Sequence, residues 1–221
     1  MRLLRFYVLV FVMVGLIGLP SLSSAQWHET FILGAAELSQ EECISYIKAR
    51  SPHPKLNCSV EELVQYYYEE AKLEGIRPDL ALSQAILETD CFKFGKDVFP
   101  EQNNYCGLVA TGGGVKGAYF DDPRTGVRAH IQHLLVYCTD REPKTEIVDP
   151  RFEMVKALEG KYNSCRTWES LSGHWAVPGK SYGAAILKTY NYMQQRNWKI
   201  LPQADIDGDT ILKEKGWFPF Y

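Results

Sequence analysis

The sequence predicts an α+β fold, mostly helical, with one small β-hairpin lobe set after a buried central helix. Three observations carry that expectation. Two capping boxes, Ser39-Gln-Glu-Glu42 and Ser59-Val-Glu-Glu62, each open a run of helical periodicity. The run Leu80–Leu87 is apolar except for Ser83 and Gln84, the pattern of a helix covered on all sides. Two short strand-like runs, Tyr105-Cys-Gly-Leu-Val and Val115-Lys-Gly-Ala-Tyr-Phe120, flank Gly112-Gly-Gly114, as in a hairpin.

Taken in order, residues 1–25 read as a secretory signal peptide. Arg2 and Arg5 form a basic start, Phe6 to Leu19 is uncharged and apolar, and Ser23-Ser24-Ala25 supplies the small residues of a cleavage site. The apolar run is short for a membrane span, and no other stretch is apolar enough to cross a bilayer. Residues 26–58 read as an N-terminal arm, loose up to Leu38, followed by a short helix ending near Arg50. The next helix carries Val60, Leu63, Val64, Tyr67 and Ala71 at helical spacing, and Gly75 stops it. Pro78 opens the central helix, with Asp79 complementing its N-terminal dipole. Beyond the hairpin, helices are expected around Val127–Cys138, Phe152–Leu158, Trp168–Leu171 and Tyr182–Gln195. Residues 59–197 form the main domain, and 198–221 form a tail whose Trp217, Phe218 and Phe220 suggest docking on it.

Composition narrows the function. The 221 residues are 46% hydrophobic and 23% charged, enough for one good core. The formal charge is −3 and becomes more negative without Arg2 and Arg5, so the net field does not steer the protein onto nucleic acid. Six cysteines, an even number in a chain read as exported, predict disulfides. The expected pairs are neighbours in order: Cys43–Cys58, Cys91–Cys106 and Cys138–Cys165. No C-x-x-C pair occurs, and His130 and His133 lack a third ligand, so no metal or cofactor is expected. Asp205-Ile-Asp-Gly-Asp209 lacks the order of a calcium loop and reads as a turn.

The residue that stands out is Glu88. It ends the apolar run Leu80–Leu87, at a helix C-terminus. Desolvation and the negative end of the helix dipole both favour a protonated carboxyl there, which is what a general acid needs.

The run Ala81-Leu-Ser-Gln-Ala-Ile-Leu-Glu88-Thr resembles the A-x-A-Q-A-x-L-E-[ST] signature of the bacterial glucosaminidase family, glycoside hydrolase family 73. Asn103-Asn-Tyr-Cys-Gly107 is similar to that family's N-N-x-F-G segment. Phe120-Asp-Asp-Pro-Arg-Thr-Gly-Val-Arg-Ala-His130 sits where the family has a strand end and a helix start, and Tyr182-Gly-Ala-Ala-Ile186 is similar to its late Y-A-x-x-I segment. The four segments occur in family order. The resemblance implies a lysozyme-like domain that cleaves the β-1,4 bond after N-acetylglucosamine in peptidoglycan; the protein is expected to be a monomer, secreted or periplasmic and cell-wall associated, with peptidoglycan glycan strands as its partner. It places the catalytic acid on Glu88 and a catalytic tyrosine on Tyr182. The chain departs from the family at Asp90-Cys91-Phe92 and at Cys106, where a Cys91–Cys106 bond would tie the loop after Glu88 to the β-lobe.

Glycosidases usually use a second carboxylate. Asp122 and Asp121 are the candidates, Asp122 preferred and Glu101 weaker; Asp-Asp-Pro is also an ordinary helix entry. A route assisted by the substrate's acetamido group would need neither. Tyr105, Tyr119, Phe92 and Trp175 are candidates for stacking on sugar faces, and Asn103 and Asn104 for bonding hydroxyls, although aromatics and asparagines also serve cores and turns. The rival readings are a lytic transglycosylase, an amidase, a cysteine peptidase built on Cys106 or Cys91 with His130 or His174, and a non-catalytic glycan-binding module.

Overall fold

A computed structural model describes residues 30–95, 98–110, 114–158, 160–177 and 179–195. The segment read as a signal peptide and the aromatic tail lie outside the described residues.

Among the described residues six α-helices form the framework: α1 (Gln40–Arg50), α2 (Val60–Glu74), α3 (Pro78–Glu88), α4 (Pro123–Cys138), α5 (Phe152–Ala157) and α6 (Tyr182–Gln194). Both capping boxes form. Ser39 and Ser59 each accept from the backbone N–H of the glutamate three residues on, and Glu42 and Glu62 each accept from the serine N–H. Gly75 ends α2 with φ 71°, a left-handed conformation that costs a glycine little. α2 packs on α1, α3 and α4, and α3 packs on α6. Every residue of α3 from Pro78 to Leu87 is buried. Glu88, its last residue, is only partly buried.

The arm is docked rather than loose from Thr30 onward. Ile32 donates to Arg166 O, Arg77 donates to Ile32 O, and Ile32 itself is fully buried. Asp79, with no exposed surface, holds this corner. It accepts from the backbone of Glu37 and Leu38 and from the Arg77 guanidinium. A second polar clasp joins α2 to α4, where the buried Glu70 accepts from Arg124 and Arg128 at 2.6 and 2.9 Å.

The expected hairpin is not formed as a ladder. The described residues contain isolated bridges and no strand. Side-chain amides take the places of ladder partners. Gln102 donates to Gly117 O and accepts from Phe99 N; Asn104 donates to Leu108 O and accepts from Leu108 N. Among the described residues one backbone bond, Ala118 N to Leu108 O, joins the two runs, and a second, Phe120 N to Gln102 O, ties the later run to the turn before the first. Asn103 and Val109 adopt positive φ and break the extended path between them.

The three expected disulfides are likewise not formed, and all six cysteines are free thiols. Their sulfurs are engaged elsewhere. Cys43 Sγ lies 3.4 Å from the Tyr68 hydroxyl, and Cys165 Sγ donates to Ser170 O. Cys91 faces Ile47 O, whereas Cys106 is buried among Glu88, Tyr67 and Tyr182, so no bond pins the loop after Glu88.

Two outcomes follow from the polar clasps. Asp79→Ala strands the Arg77 guanidinium and two backbone donors, and should cost about 3–5 kcal/mol in urea unfolding. At Glu70, burial raises the carboxyl's pKa, but the bonds from Arg128 and Arg124 outweigh it and hold the group below its ordinary 4.5. A carboxyl depressed in the folded state stabilises above its unfolded pKa, and that contribution is lost as pH falls through the folded value. Glu70→Gln should therefore lower stability at pH 7 and flatten the decline below about pH 4.5, measured as unfolding midpoints across an acid series.

Candidate active site

The end of α3 is shaped by how the chain leaves it. Asp90, Cys91 and Phe92 adopt φ of 49°, 52° and 61°, three successive left-handed residues without a glycine. Such residues cost about 1–2 kcal/mol each and persist only when their surroundings hold them. Here Cys91 N donates to Ile86 O, Phe92 N to Thr89 Oγ1 and Phe94 N to Thr89 O, while the Phe92 ring is fully buried. The turn reverses the chain at once, and Glu88 stays at the rim of the core.

α6 supplies the partner. Its first residue, Tyr182, has its hydroxyl buried against Glu88. Gly183 lets that first turn reach the short 3-10 turn at Glu169–Leu171, where any Cβ would collide with the Trp168 carbonyl. Ser172 Oγ accepts from Gly183 N at 3.0 Å and fixes the start of the helix. Tyr182 Oη donates to Glu88 Oε1 at 2.5 Å. Burial, then the neighbouring Glu88 carboxylate, raises the phenol well above its ordinary value, so it stays a donor at all working pH values.

Behind this pair, polar side chains run into the core. Gln84 Nε2 donates to Tyr182 Oη at 2.6 Å, and Gln84 Oε1 lies 3.0 Å from His130 Nε2. His130 Nδ1 lies 2.9 Å from Tyr67 Oη. The residues come from α3, α6, α4 and α2, and Gln84, His130 and Tyr67 have no exposed surface. Burial, with a smaller contribution from His133, pushes His130 down to about 3, so its ring is neutral.

The other sequence candidates fall in different places. Asp122 is the N-cap of α4: Oδ1 accepts from Thr125 N at 2.9 Å and Oδ2 from Thr125 Oγ1 at 2.8 Å. Asp121 is exposed beside it. Asn104 is fully buried and spent on the Leu108 loop. Asn103 bonds Phe120 O, and Tyr105 is packed between Tyr67 and Phe92, its hydroxyl buried and unpartnered. Trp175 is 6% exposed, its ring 4.7 Å from His133, whereas Tyr119 is 59% exposed. Glu101 is exposed on a 3-10 turn (Pro100–Gln102). Gln84 is not among the sequence candidates, and His130 figures there only as a metal or peptidase residue. The signal for both is present in the chain: a glutamine and a histidine, each on the apolar face of a buried helix, must bond something inside.

The geometry disfavours a cysteine nucleophile. Burial pushes the Cys106 thiol far above its ordinary value and Cys91 to about 12, so neither supplies a thiolate. His130 is committed to Gln84 and Tyr67, and His174 Nδ1 lies 3.1 Å from Ser170 O. Among the described residues no cluster of three or more histidine, cysteine or carboxylate side chains could hold a metal ion, and no helix is long and apolar enough to cross a membrane.

Comparison with known proteins gives the family. The family described as glucosaminidase, mannosyl-glycoprotein endo-beta-N-acetylglucosaminidase, matches residues 64–198, a span that contains α3, α4 and α6. An uncharacterized protein of Borreliella burgdorferi is 34% identical over 146 residues, 66% of this chain and 69% of that protein. No solved structure matches. With Glu88 and Tyr182 inside the matched span and in bonding contact, the chain belongs to the glucosaminidase family, and its activity class is glycoside hydrolysis.

Proposed function

We propose that the chain is an exported peptidoglycan hydrolase that cleaves the β-1,4 bond after N-acetylglucosamine, with Glu88 as general acid and Tyr182 as the residue that orients it. The observation that carries this reading is the 2.5 Å hydrogen bond between two side chains 94 residues apart, at the one partly open position of a buried helix. Tyr182 holds the Glu88 carboxyl by donating to Oε1, and the protonated carboxyl carries the transferable proton. That proton passes to the glycosidic oxygen as the sugar C1–O bond breaks, and positive charge develops on the sugar ring.

The second group is Asp121 or the substrate's own acetamido oxygen. Asp122 is the poorer choice, because both of its oxygens hold Thr125 and freeing them costs the cap of α4, about 1 kcal/mol. Tyr119 is the aromatic most open to a sugar face. Export is supported by the basic, apolar and small-residue order of residues 1–25 and by a substrate that lies outside the cell membrane.

The test is mass spectrometry of fragments from purified peptidoglycan. Wild type should release ends with free reducing N-acetylglucosamine; 1,6-anhydro ends would reassign the chain to the lytic transglycosylases. Glu88→Gln should lose about 10²–10⁴-fold or more in rate while unfolding at the wild-type midpoint, and full activity in that variant would sink the acid assignment. Tyr182→Phe removes a hydrogen bond to a charged group, worth about 10- to 150-fold in kcat/KM with the same products.

A further inference from the structure

The polar chain behind Glu88 has a direction. Starting from Gln84, the amide Nε2 donates to Tyr182, so Oε1 is turned toward His130. An amide oxygen only accepts, so His130 must carry its proton on Nε2. Nδ1 is then an acceptor, and Tyr67 donates to it. Every donor in the series Tyr67, His130, Gln84, Tyr182 points the same way and ends on Glu88 Oε1. The opposite polarity is sterically identical and chemically different. With the imidazole proton on Nδ1, Nε2 would accept; the Gln84 amide would turn over, its oxygen would take the Tyr182 proton, and Glu88 would lose the hydrogen bond from Tyr182.

We propose that His130, acting through Gln84, is a positioning residue that sets the direction of the Tyr182 hydroxyl and thereby the hydrogen bond received by Glu88. The proposal rests on the reading of Glu88 as the acid. It gives a histidine far inside the core a role in the reaction without contact with the sugar. Burial suits that role, because a ring that cannot gain a proton in the working range cannot reverse the chain by titrating. The groups around it are the Tyr67 phenol of α2, His133 on its own helix and the Trp175 ring, which lies 5.8 Å away. Near Glu88, the Tyr182 phenol and the Cys106 thiol are both kept neutral by burial, so neither of them titrates across the profile.

Two experiments decide it. In wild type at pH 7, long-range proton–nitrogen correlation of the imidazoles should show His130 neutral with its proton on Nε2; a proton on Nδ1 overturns the proposal and needs no variant to fold. In kinetics on purified peptidoglycan, His130→Phe and Gln84→Met should each lower kcat by about 3- to 10-fold with KM unchanged. A carboxylate that loses a donated hydrogen bond is less acidic, so both variants should move the alkaline limb of the pH–rate profile to higher pH. Tyr182→Phe should move it the same way, and adding His130→Phe to Tyr182→Phe should move it no further. An independent, additive effect, or a drop in kcat with the limb in place, overturns the proposal. Failure of the underlying acid reading looks different, since Glu88→Gln would then remain active whatever His130 does.

Discussion

A glutamine in the middle of a helix covered on every side has one tolerable fate: its amide nitrogen and its amide oxygen must each find a partner within the protein. Gln84 meets that demand by joining α3 to His130 on α4 and to Tyr182 on α6. The packing of α3 on α6 and of α2 on α4 is therefore tied to a fixed set of donor and acceptor positions, and not to apolar contact alone. An apolar residue at position 84 would leave His130 and Tyr182 each short of a partner, at about 1–3 kcal/mol per stranded group. The same bonds that specify the core also deliver an oriented hydroxyl to its edge.

The helices were legible because their signals are local. Each capping box spans four residues, and the glycine after α2 and the proline at the start of α3 act at the positions where they stand. The resemblance singles out Glu88 and Tyr182 through segments short enough to compare, and the fold brings the two side chains into hydrogen-bond contact. The region from Asn103 to Asp122 was not legible, although its alternation reads as strand. Gln102 and Asn104 have side chains that mimic a strand's own donors and acceptors, and their amides took backbone partners that a ladder would have used. Periodicity reports which residues face inward, and it is blind to that competition.

The cysteines mislead for a related reason. An even count in a chain read as exported points to pairs, but a bond needs two sulfurs a few ångströms apart in a defined geometry. Cys91 and Cys106 are close in sequence, yet the left-handed turn at Asp90–Phe92 directs one toward α1 and the loop carries the other toward Glu88 and Tyr67. Both behave as small apolar side chains in the core. The loop after Glu88 is held by Thr89 and the buried Phe92 ring.

Asp122 shows how one residue can satisfy two readings on paper and one in space. Asp before Pro in front of a helical run is a cap signal, and a carboxylate beside a presumed strand end is a catalytic signal. In the folded chain both oxygens sit on Thr125, and neighbouring backbone and Thr125 bonds hold its pKa below the ordinary value despite partial burial. A nucleophile in that position would have to release its helix to reach a sugar. Glu88 stands at the end of its helix, Thr89 beside it bonds back to Ala85 O, and a hydrogen bond reaches Glu88 from another element. The two carboxylates differ in where their bonds come from: Asp122 is held within the start of its own helix, and Glu88 is reached from across the core. At Glu88, the bond from Tyr182 is carried by a chain of buried groups that has its own reasons to stay in place.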